Sequence, residues 1–587
     1  MSTHGSQTLT IDDIPEKEKP QNGVAGLKHW RYDLMAGLQV AMMGIPLSLG
    51  IAIASGAPPV CGVISAIIAG FVFPFLGGAY ITISGPAAGL APAILASMIL
   101  LGNGDLAVGY PLALVAICIV GVVQVILSLF NAGRFALFFP ISVVEGMLMA
   151  IGMLIIIKQI PAFLGYFTPP IKSIPKAILL IPEQIMGMNP VICSIGAVSL
   201  VLLFFLSGIL ARIKATWAKF IPVPLVVTFL AGLTAWFLGL EEKYLIHVPS
   251  DLFEHGIVFP HFAEAFSRPD LYWAFLLTII TLVLIDGTES LATIQAIDKI
   301  DPFKRKSDPN VTLRAMGVSN TASSLLGGLT IIPGGMKSTT NMLVGGRTLW
   351  ANFYYACFQL IFLLFATTLI NQIPKAGLAG LLIWVGWKLC SHKVFQRIFS
   401  VGKEQMFIAL VNVVVTLWTS DLLEGMIVGT ATKIVLLVKD VVRVSPGGVG
   451  PAFKELFGNP VIRIGDGRGA REVMTVAANA VLRGTVGEMK NPYKIYLSSV
   501  TCMNLVKLDA ALKKIVVPEG SKANYMLILA GKIYDHTSME YMHTFQDRAI
   551  DAGNTCVLVG IEHFRGLSDH ALAYRVSQVP GNLAAFA

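Results

Sequence analysis

From Tyr32 to about Lys439 the chain is a succession of apolar stretches of helix length, separated by short breaks of proline, glycine or clustered charge. A bilayer core of about 30 Å is crossed by roughly 20 apolar residues in helical form, and a run of such stretches fits nothing else so well. Composition agrees: of 587 residues 55% are hydrophobic and 13% charged, about half of the roughly 25% charged residues of a soluble domain. The expected class is a polytopic α-helical membrane protein.

Fourteen spans are expected, near 33–54, 59–76, 84–101, 109–130, 135–157, 190–211, 220–240, 271–296, 314–329, 336–347, 350–372, 374–391, 405–420 and 422–440. Basic residues cluster before span one (Lys28, Arg31) and after spans four (Arg134), six (Arg212, Lys214, Lys219), eight (Lys299, Lys304, Arg305, Lys306, Arg314), twelve (Lys388, Lys393, Arg397, Lys403) and fourteen (Lys439, Arg443). The opposite gaps carry fewer. This positive-inside bias puts both termini in the cytoplasm and the protein in the cell (inner or plasma) membrane. The net charge of +8 is therefore read as topology, with the lipid bilayer as partner and no nucleic acid.

Four parts are expected: a cytoplasmic segment 1–30 without the basic lead of a cleavable signal peptide, a transport domain 31–440, a linker 441–490 and a cytoplasmic α/β domain 491–587. In the last, NPYKIYLSSV starts as a strand, Leu505, Leu508 and Leu512 recur at helical spacing, ANYMLILAG is a buried strand, HTSMEYMHTFQDRAIDAG a helix closed by Gly553, and TCVLVGI a strand. The seven scattered cysteines read as packing residues. His536, His543, His563 and His570 lack a ligand set at metal spacing, and no phosphate-binding or hydrolase motif occurs, so neither a metal site nor an enzyme is expected.

The leads into spans three and ten match. Gly77-Gly78-Ala79-Tyr80-Ile81-Thr82-Ile83-Ser84-Gly85-Pro86 and Gly327-Gly328-Leu329-Thr330-Ile331-Ile332-Pro333-Gly334-Gly335-Met336 each hold a glycine pair, an extended β-branched stretch, and small or proline residues where a helix would begin. They lie seven spans apart, and an odd offset inverts the second copy: 7+7 inverted repeats with two half-helices meeting near the midplane. Such helix N-termini form an anion site, with Pro86 in the first turn of one half-helix. Small residues Ser84, Gly85, Ala87 and Ala88 line one side; Gly334, Gly335, Lys337, Ser338 and Thr339 line the other.

Ionisable residues at membrane depth are functional candidates. Asp286 and Glu289 share a face of span eight with Thr293 one turn further, a set suited to a cation or proton, or to a salt bridge with Lys337. Glu145 on span five is the other buried acid, for coupling or helix–helix hydrogen bonding, and Gln39 is a weaker cavity candidate.

These motifs resemble the SulP (sulfate permease) family of inorganic-anion transporters over nearly the whole chain. The opening helix DLMAGLQVAMMGIPLSLGIAIASGAP, ISGPAAGLAPAI, ESLATIQAID and KSTTNMLVGGRT carry the resemblance, and the C-terminal domain is similar to the family's STAS domain. It implies a core domain of spans one to four and eight to eleven, a gate domain of the rest, elevator-type alternating access and a homodimer. It implies no cofactor beyond a coupling Na+ or H+. The anion would lie between Ser84, Gly85 and Ala87 and the start Gly335, Lys337, Ser338; an acid and a threonine at the positions of Glu289 and Thr293 would hold the coupling ion. Lys337 departs from sodium-coupled relatives, which carry a small residue there. An ammonium close to Glu289 would take the place of sodium and favour exchange or proton coupling. The STAS-like domain reads Asp535-His536-Thr537-Ser538 where signalling versions carry Asp-Ser-Ser-Gly, with Thr537 as helix cap or phosphorylation site, and a cytoplasmic partner would bind it. The function expected is secondary transport of a small inorganic anion, sulfate or bicarbonate. The alternatives are an anion channel, a membrane-bound sensor, or a nucleobase permease of the same plan.

Overall fold

The computed structural model describes residues 19–133, 140–166, 173–213, 221–248, 257–444, 456–465, 493–513, 524–551, 554–561 and 564–577. Most of the expected linker falls outside them, as do Gly553, His563, Arg134, Lys214 and Lys219, although linker residues 441–444 continue a helix and Val461–Gly465 form a strand. Two compact units emerge: Met1–Gly133 with Met147–Ser391 and Val413–Gly425, and Arg134–Gly146 with His392–Asn412 and Met426–Ala587.

Every expected apolar segment carries a helix. In chain order these are α1 (Trp30–Ala54), α2 (Pro59–Leu76), α3 (Ala91–Leu101), α4 (Leu106–Leu129) and α5 (Ile141–Leu164). Two short helices, α6 (Ile174–Leu179) and α7 (Ile181–Met186), precede α8 (Pro190–Arg212), α9 (Val223–Leu238), the short α10 (Phe262–Ser267), α11 (Tyr272–Ile300), α12 (Pro309–Leu325) and α13 (Gly335–Val344). Then come α14 (Trp350–Phe365), the four-residue α15 (Thr367–Ile370), α16 (Lys375–Leu389), the amphipathic α17 (His392–Val401), α18 (Lys403–Thr419) and α19 (Leu422–Val444). Among the described residues, six helices are long and apolar enough to cross a membrane.

Helix starts follow capping chemistry. Asp105, Asn189 and Asp308 accept hydrogen bonds from the first free N–H groups of α4, α8 and α12, and Pro190 and Pro309 occupy first-turn positions whose N–H needs no partner. The Asp308 cap moves the ninth segment's start from the expected 314 to Pro309. The fifth helix starts after Pro140 rather than at 135 and continues to Leu164. The third is corrected most. Residues Ile83–Pro86 form strand β1, and the helix opens only at Ala91, so Pro86 ends a strand and Pro92 is the first-turn proline.

In the first unit α1, α2 and α14 pack together, α12 packs on α2 and α4, and α11 meets α3, α4 and α13; α8, α9 and α16 form a second group that touches α1. The α4–α12 contact needs glycine on both sides. A Cβ at Gly121 would lie 2.6 Å from the Gly317 carbonyl oxygen, and one at Gly317 2.5 Å from that of Gly121, the close backbone approach by which membrane helices gain packing. Asp33 of α1, fully buried, accepts bonds from the N–H groups of Arg347 (2.7 Å) and Thr348 (3.0 Å) and from the Thr348 hydroxyl (2.6 Å). Buried Arg305 donates to Asp301 through Nε (2.8 Å) and Nη2 (3.0 Å), and through Nη1 to the carbonyls of Pro20 (2.8 Å) and Arg347 (2.7 Å), and stacks over Tyr80.

The second unit holds an α/β fold. Strands β3 (Val461–Gly465), β4 (Tyr493–Leu497), β5 (Asn524–Leu529), β6 (Ile533–Tyr534), β7 (Thr555–Val559), β8 (Phe564–Gly566) and β9 (Arg575–Ser577) accompany α20 (Leu505–Leu512) and α21 (His536–Asp551). One sheet runs β3-β4-β5-β7, parallel from β4 onward, and a smaller one runs β6-β9-β8. Parallel neighbours require crossovers; α20 and α21 provide them, burying Leu505, Leu508, Met539 and Met542 against Ile495, Leu497, Leu527 and Leu529. All five elements expected in this region are present. The cap of α21 is Asp535, which accepts from the Ser538 N–H at 2.8 Å, not Thr537; the Thr537 hydroxyl instead accepts from the Ile141 N–H at 3.3 Å. Burial holds His536 below the usual imidazole range, and its Nδ1 lies 2.8 Å from the Leu572 carbonyl.

Beside this core, Leu437 and Val441 of α19 pack with Cys502, Ile533 and Tyr574. The fully buried Lys433 places Nζ 3.0 Å from Glu404 Oε1 and 4.9 Å from the Tyr574 ring centre. Lys433→Met should destabilise this unit by about 3–5 kcal/mol, because removing one partner of a buried pair strands the other. Adding Glu404→Gln should restore most of the loss, as denaturant unfolding of the purified protein would record. Equal losses in the single and double variants would contradict the pairing.

Candidate functional site

Strand β2 (Ile331–Gly334) pairs antiparallel with β1, Ile83 opposite Gly334 and Pro86 opposite Ile331. The two expected extended leads therefore bond to each other, and α3 and α13 leave the ladder from opposite ends. Extended backbone at membrane depth is tolerable only if each polar group finds a partner. Side chains of neighbouring helices supply them. Asn352 of α14 accepts from the Ser84 N–H (2.9 Å) and donates to the Thr82 carbonyl (2.7 Å); Asn320 accepts from the Ile331 N–H (2.6 Å); Asn341 donates to the Ile81 carbonyl (2.7 Å). Ser65 of α2 accepts from the Leu329 N–H at 2.6 Å.

Helix α13 starts directly on β2, and α3 starts four residues beyond β1. The first N–H groups of each have no acceptor within their helix and carry the positive dipole end. Lys337, in the first turn of α13, is 2% exposed, and among the described residues its Nζ has no hydrogen-bond partner. The ammonium lies 5.5 Å over the Tyr355 ring centre and beside Gly85, where an added Cβ would stand 2.6 Å from Nζ. The hydroxyls of Ser84 and Tyr355 are likewise buried without a partner.

Glu289 of α11 packs its carboxylate against Gly89 in the turn before α3; a Cβ there would fall 2.6 Å from the carboxylate carbon. Its Oε2 is covered and has no donor among the described residues. One turn on, the Thr293 methyl lies nearest the Cβ position of Gly335. Glu289 and Lys337 form no ion pair within 4.0 Å, so the salt bridge that the sequence allowed is not made. A buried ammonium and a half-buried acid with one orphaned oxygen thus belong to one small region.

The candidate residues divide. Ser84, Gly85, Ala87, Gly335, Lys337, Glu289 and Thr293 are brought to the strand pair and the two helix starts. Ser338 joins them through its backbone, but its hydroxyl accepts from the Ile83 N–H (2.9 Å) and donates to the Gly334 carbonyl (2.6 Å), so the side chain is committed to the scaffold. Asp286 is held as a clamp by one oxygen: Oδ2 accepts from Gln124 Nε2 (2.5 Å) and Asn320 Nδ2 (2.9 Å), tying α4, α11 and α12, while Oδ1 is buried without a partner among the described residues. Glu145 belongs to the second unit, where Oε1 lies 2.7 Å from Arg397 Nη2 as an ordinary ion pair. Unanticipated were Tyr355 and Asn352, although Asn352, Tyr355 and Gln359 recur at helical spacing as a polar stripe in the otherwise apolar α14.

A polytopic helical membrane protein with a buried strand pair that leads into two short helices has the architecture of a membrane transporter. The chain belongs to the sulfate permease family, whose model matches residues 30–412. It is similar to the bicarbonate transporter BicA of Picosynechococcus sp., 25% identical over 415 residues that cover 70% of this chain and 70% of that one. Among solved structures it shares the fold of the transmembrane domain of a cyanobacterium bicarbonate transporter BicA (TM-score 0.59, 22% identity, 69% of this chain and 98% of that one). It also shares that of SLC26A9 (TM-score 0.62, 17% identity, 90% and 84%). Its relatives are transporters, and the chain is not an enzyme.

Proposed function

We propose that the protein is a secondary active carrier of a small inorganic anion, sulfate or bicarbonate, bound between the starts of α3 and α13. The observation that carries this is the Lys337 ammonium in the first turn of α13, beside Gly85 on the strand that leads to α3, buried without a hydrogen-bond partner among the described residues. An unpaired buried cation is costly, and an anion would relieve it. Backbone N–H groups near Ala87 and Gly335 would complete the site. Glu289 and Thr293 would hold the coupling Na+ or H+; the lack of an ion pair with Lys337 leaves this acid free for that task.

The finer architecture is part of the same reading: fourteen spans as 7+7 inverted repeats, both termini cytoplasmic in the cell membrane, and a homodimer. The mutual packing of α1–α4 with α11–α14 supports a core domain that carries the site, moving elevator-fashion against a gate. The α/β fold after α19 supports a STAS-like domain open to a cytoplasmic partner.

Uptake of radiolabelled sulfate and of bicarbonate into proteoliposomes, under sodium, proton or no gradient, tests the proposal. Saturable uptake accelerated by anion on the far side is expected; flux without saturation or trans-acceleration would identify a channel. Glu289→Gln should abolish stimulation by whichever gradient drives the wild type while leaving anion exchange at least partly intact. Undiminished stimulation in that variant would remove Glu289 from the coupling site.

A further inference from the structure

Lys337 is the anion ligand of the proposed function and yet only 2% exposed. The reason lies on its far side. The ammonium occupies the space left by the missing side chain of Gly85, over the face of Tyr355 at 5.5 Å, within the range where a ring attracts a cation. A Cβ at Gly85 would meet Nζ at 2.6 Å, whereas its next neighbours, Ala66 Cα and Tyr355 Oη, are at 3.7 Å, ordinary contact distance. Gly85 has no positive φ to demand glycine. The one thing its small size accommodates is therefore the lysine head.

We propose that Tyr355 is a positioning residue: together with Gly85 it holds the Lys337 ammonium against β1, and an anion must draw the cation forward to be held. This rests on the reading of Lys337 as the anion's countercharge. The parked state weakens apparent affinity, because part of each binding event goes into moving the lysine off the ring, and it lets the anion leave as the lysine returns.

The test is a double-variant cycle between Gly85 and Lys337, with single variants at Tyr355, on the full-length protein. Gly85→Ala and Tyr355→Leu should each lower the KM for the labelled anion that the wild type accumulates, sulfate or bicarbonate, by about 3- to 10-fold without raising maximal rate. Tyr355→Phe, which keeps the ring face, should stay within about 2-fold of wild type. In a Lys337→Met background Gly85→Ala should be silent. Thermal unfolding supplies a readout that survives loss of transport: Gly85→Ala should shift the melting temperature only when Lys337 is present. The same shift in both backgrounds, or an unchanged or higher KM in Tyr355→Leu, would overturn the positioning role. If instead the melting cycle couples Gly85 to Lys337 while Lys337→Met leaves the anion KM unchanged, the parking stands and the assignment of Lys337 to the anion fails, and with it the link to transport.

Discussion

Lys337→Ala should lower the initial rate of anion uptake at subsaturating substrate by about 10- to 100-fold while leaving the protein folded. Hydrogen bonds to a charged group contribute about 1.5–3 kcal/mol, and each 1.4 kcal/mol is about tenfold. The stability prediction runs the other way. Among the described residues Nζ is buried without a hydrogen-bond partner, and a ring face at 5.5 Å offsets only part of the cost of burying it, so the variant should melt at or above the wild-type temperature. Loss of transport with gain of stability is the signature of a group kept for function. Lys337→Arg keeps the charge but not the compact head that fits beside Gly85, and should retain only part of the rate. Uptake equal to wild type in Lys337→Ala, or a large drop in its melting temperature, would mean that the lysine serves packing.

Arg305→Ala should be the most destabilising single substitution in the first unit outside the site, by about 3–5 kcal/mol. Arg305 is 3% exposed, pairs with the equally buried Asp301, and ties that loop to the Pro20 and Arg347 carbonyls. Alanine would leave the Asp301 carboxylate buried without its cation and two carbonyls without a donor. Lysine should rescue little, since one ammonium cannot reproduce the forked geometry that serves three acceptors. Unfolding in detergent by denaturant or heat would measure both variants, and a loss below about 1 kcal/mol would contradict the staple.

What the sequence disclosed follows from locality. Apolar length marked each helical segment, β-branched runs behind glycine pairs marked β1 and β2, and short apolar runs and helical spacing marked the elements of the α/β fold. The third helix start was obscured because Pro86 satisfies the rules for a first-turn proline as well as those for a strand end; only the pairing with Ile331, across nearly half the chain, decides between them. The site was legible where charge at membrane depth is itself the signal, as for Lys337 and Glu289. It was illegible where the role depends on a distant partner. Asp286 looks like Glu289 along the helix, yet Gln124 and Asn320 turn it into a clamp. The Ser338 hydroxyl looks available until the Ile83 N–H is found on it. Glu145 could not be separated from an intramembrane coupling acid until Arg397 appeared beside it.

Equilibrium binding of radiolabelled sulfate and bicarbonate to the purified protein, wild type against Lys337→Ala, tests the central claim most directly because it needs neither gradient nor turnover. The account predicts saturable binding of at least one of the two anions by the wild type and affinity weaker by about tenfold or more in the variant, following the magnitude expected for a charged hydrogen-bond donor. Equal affinity in the two proteins would contradict the placement of the anion at Lys337.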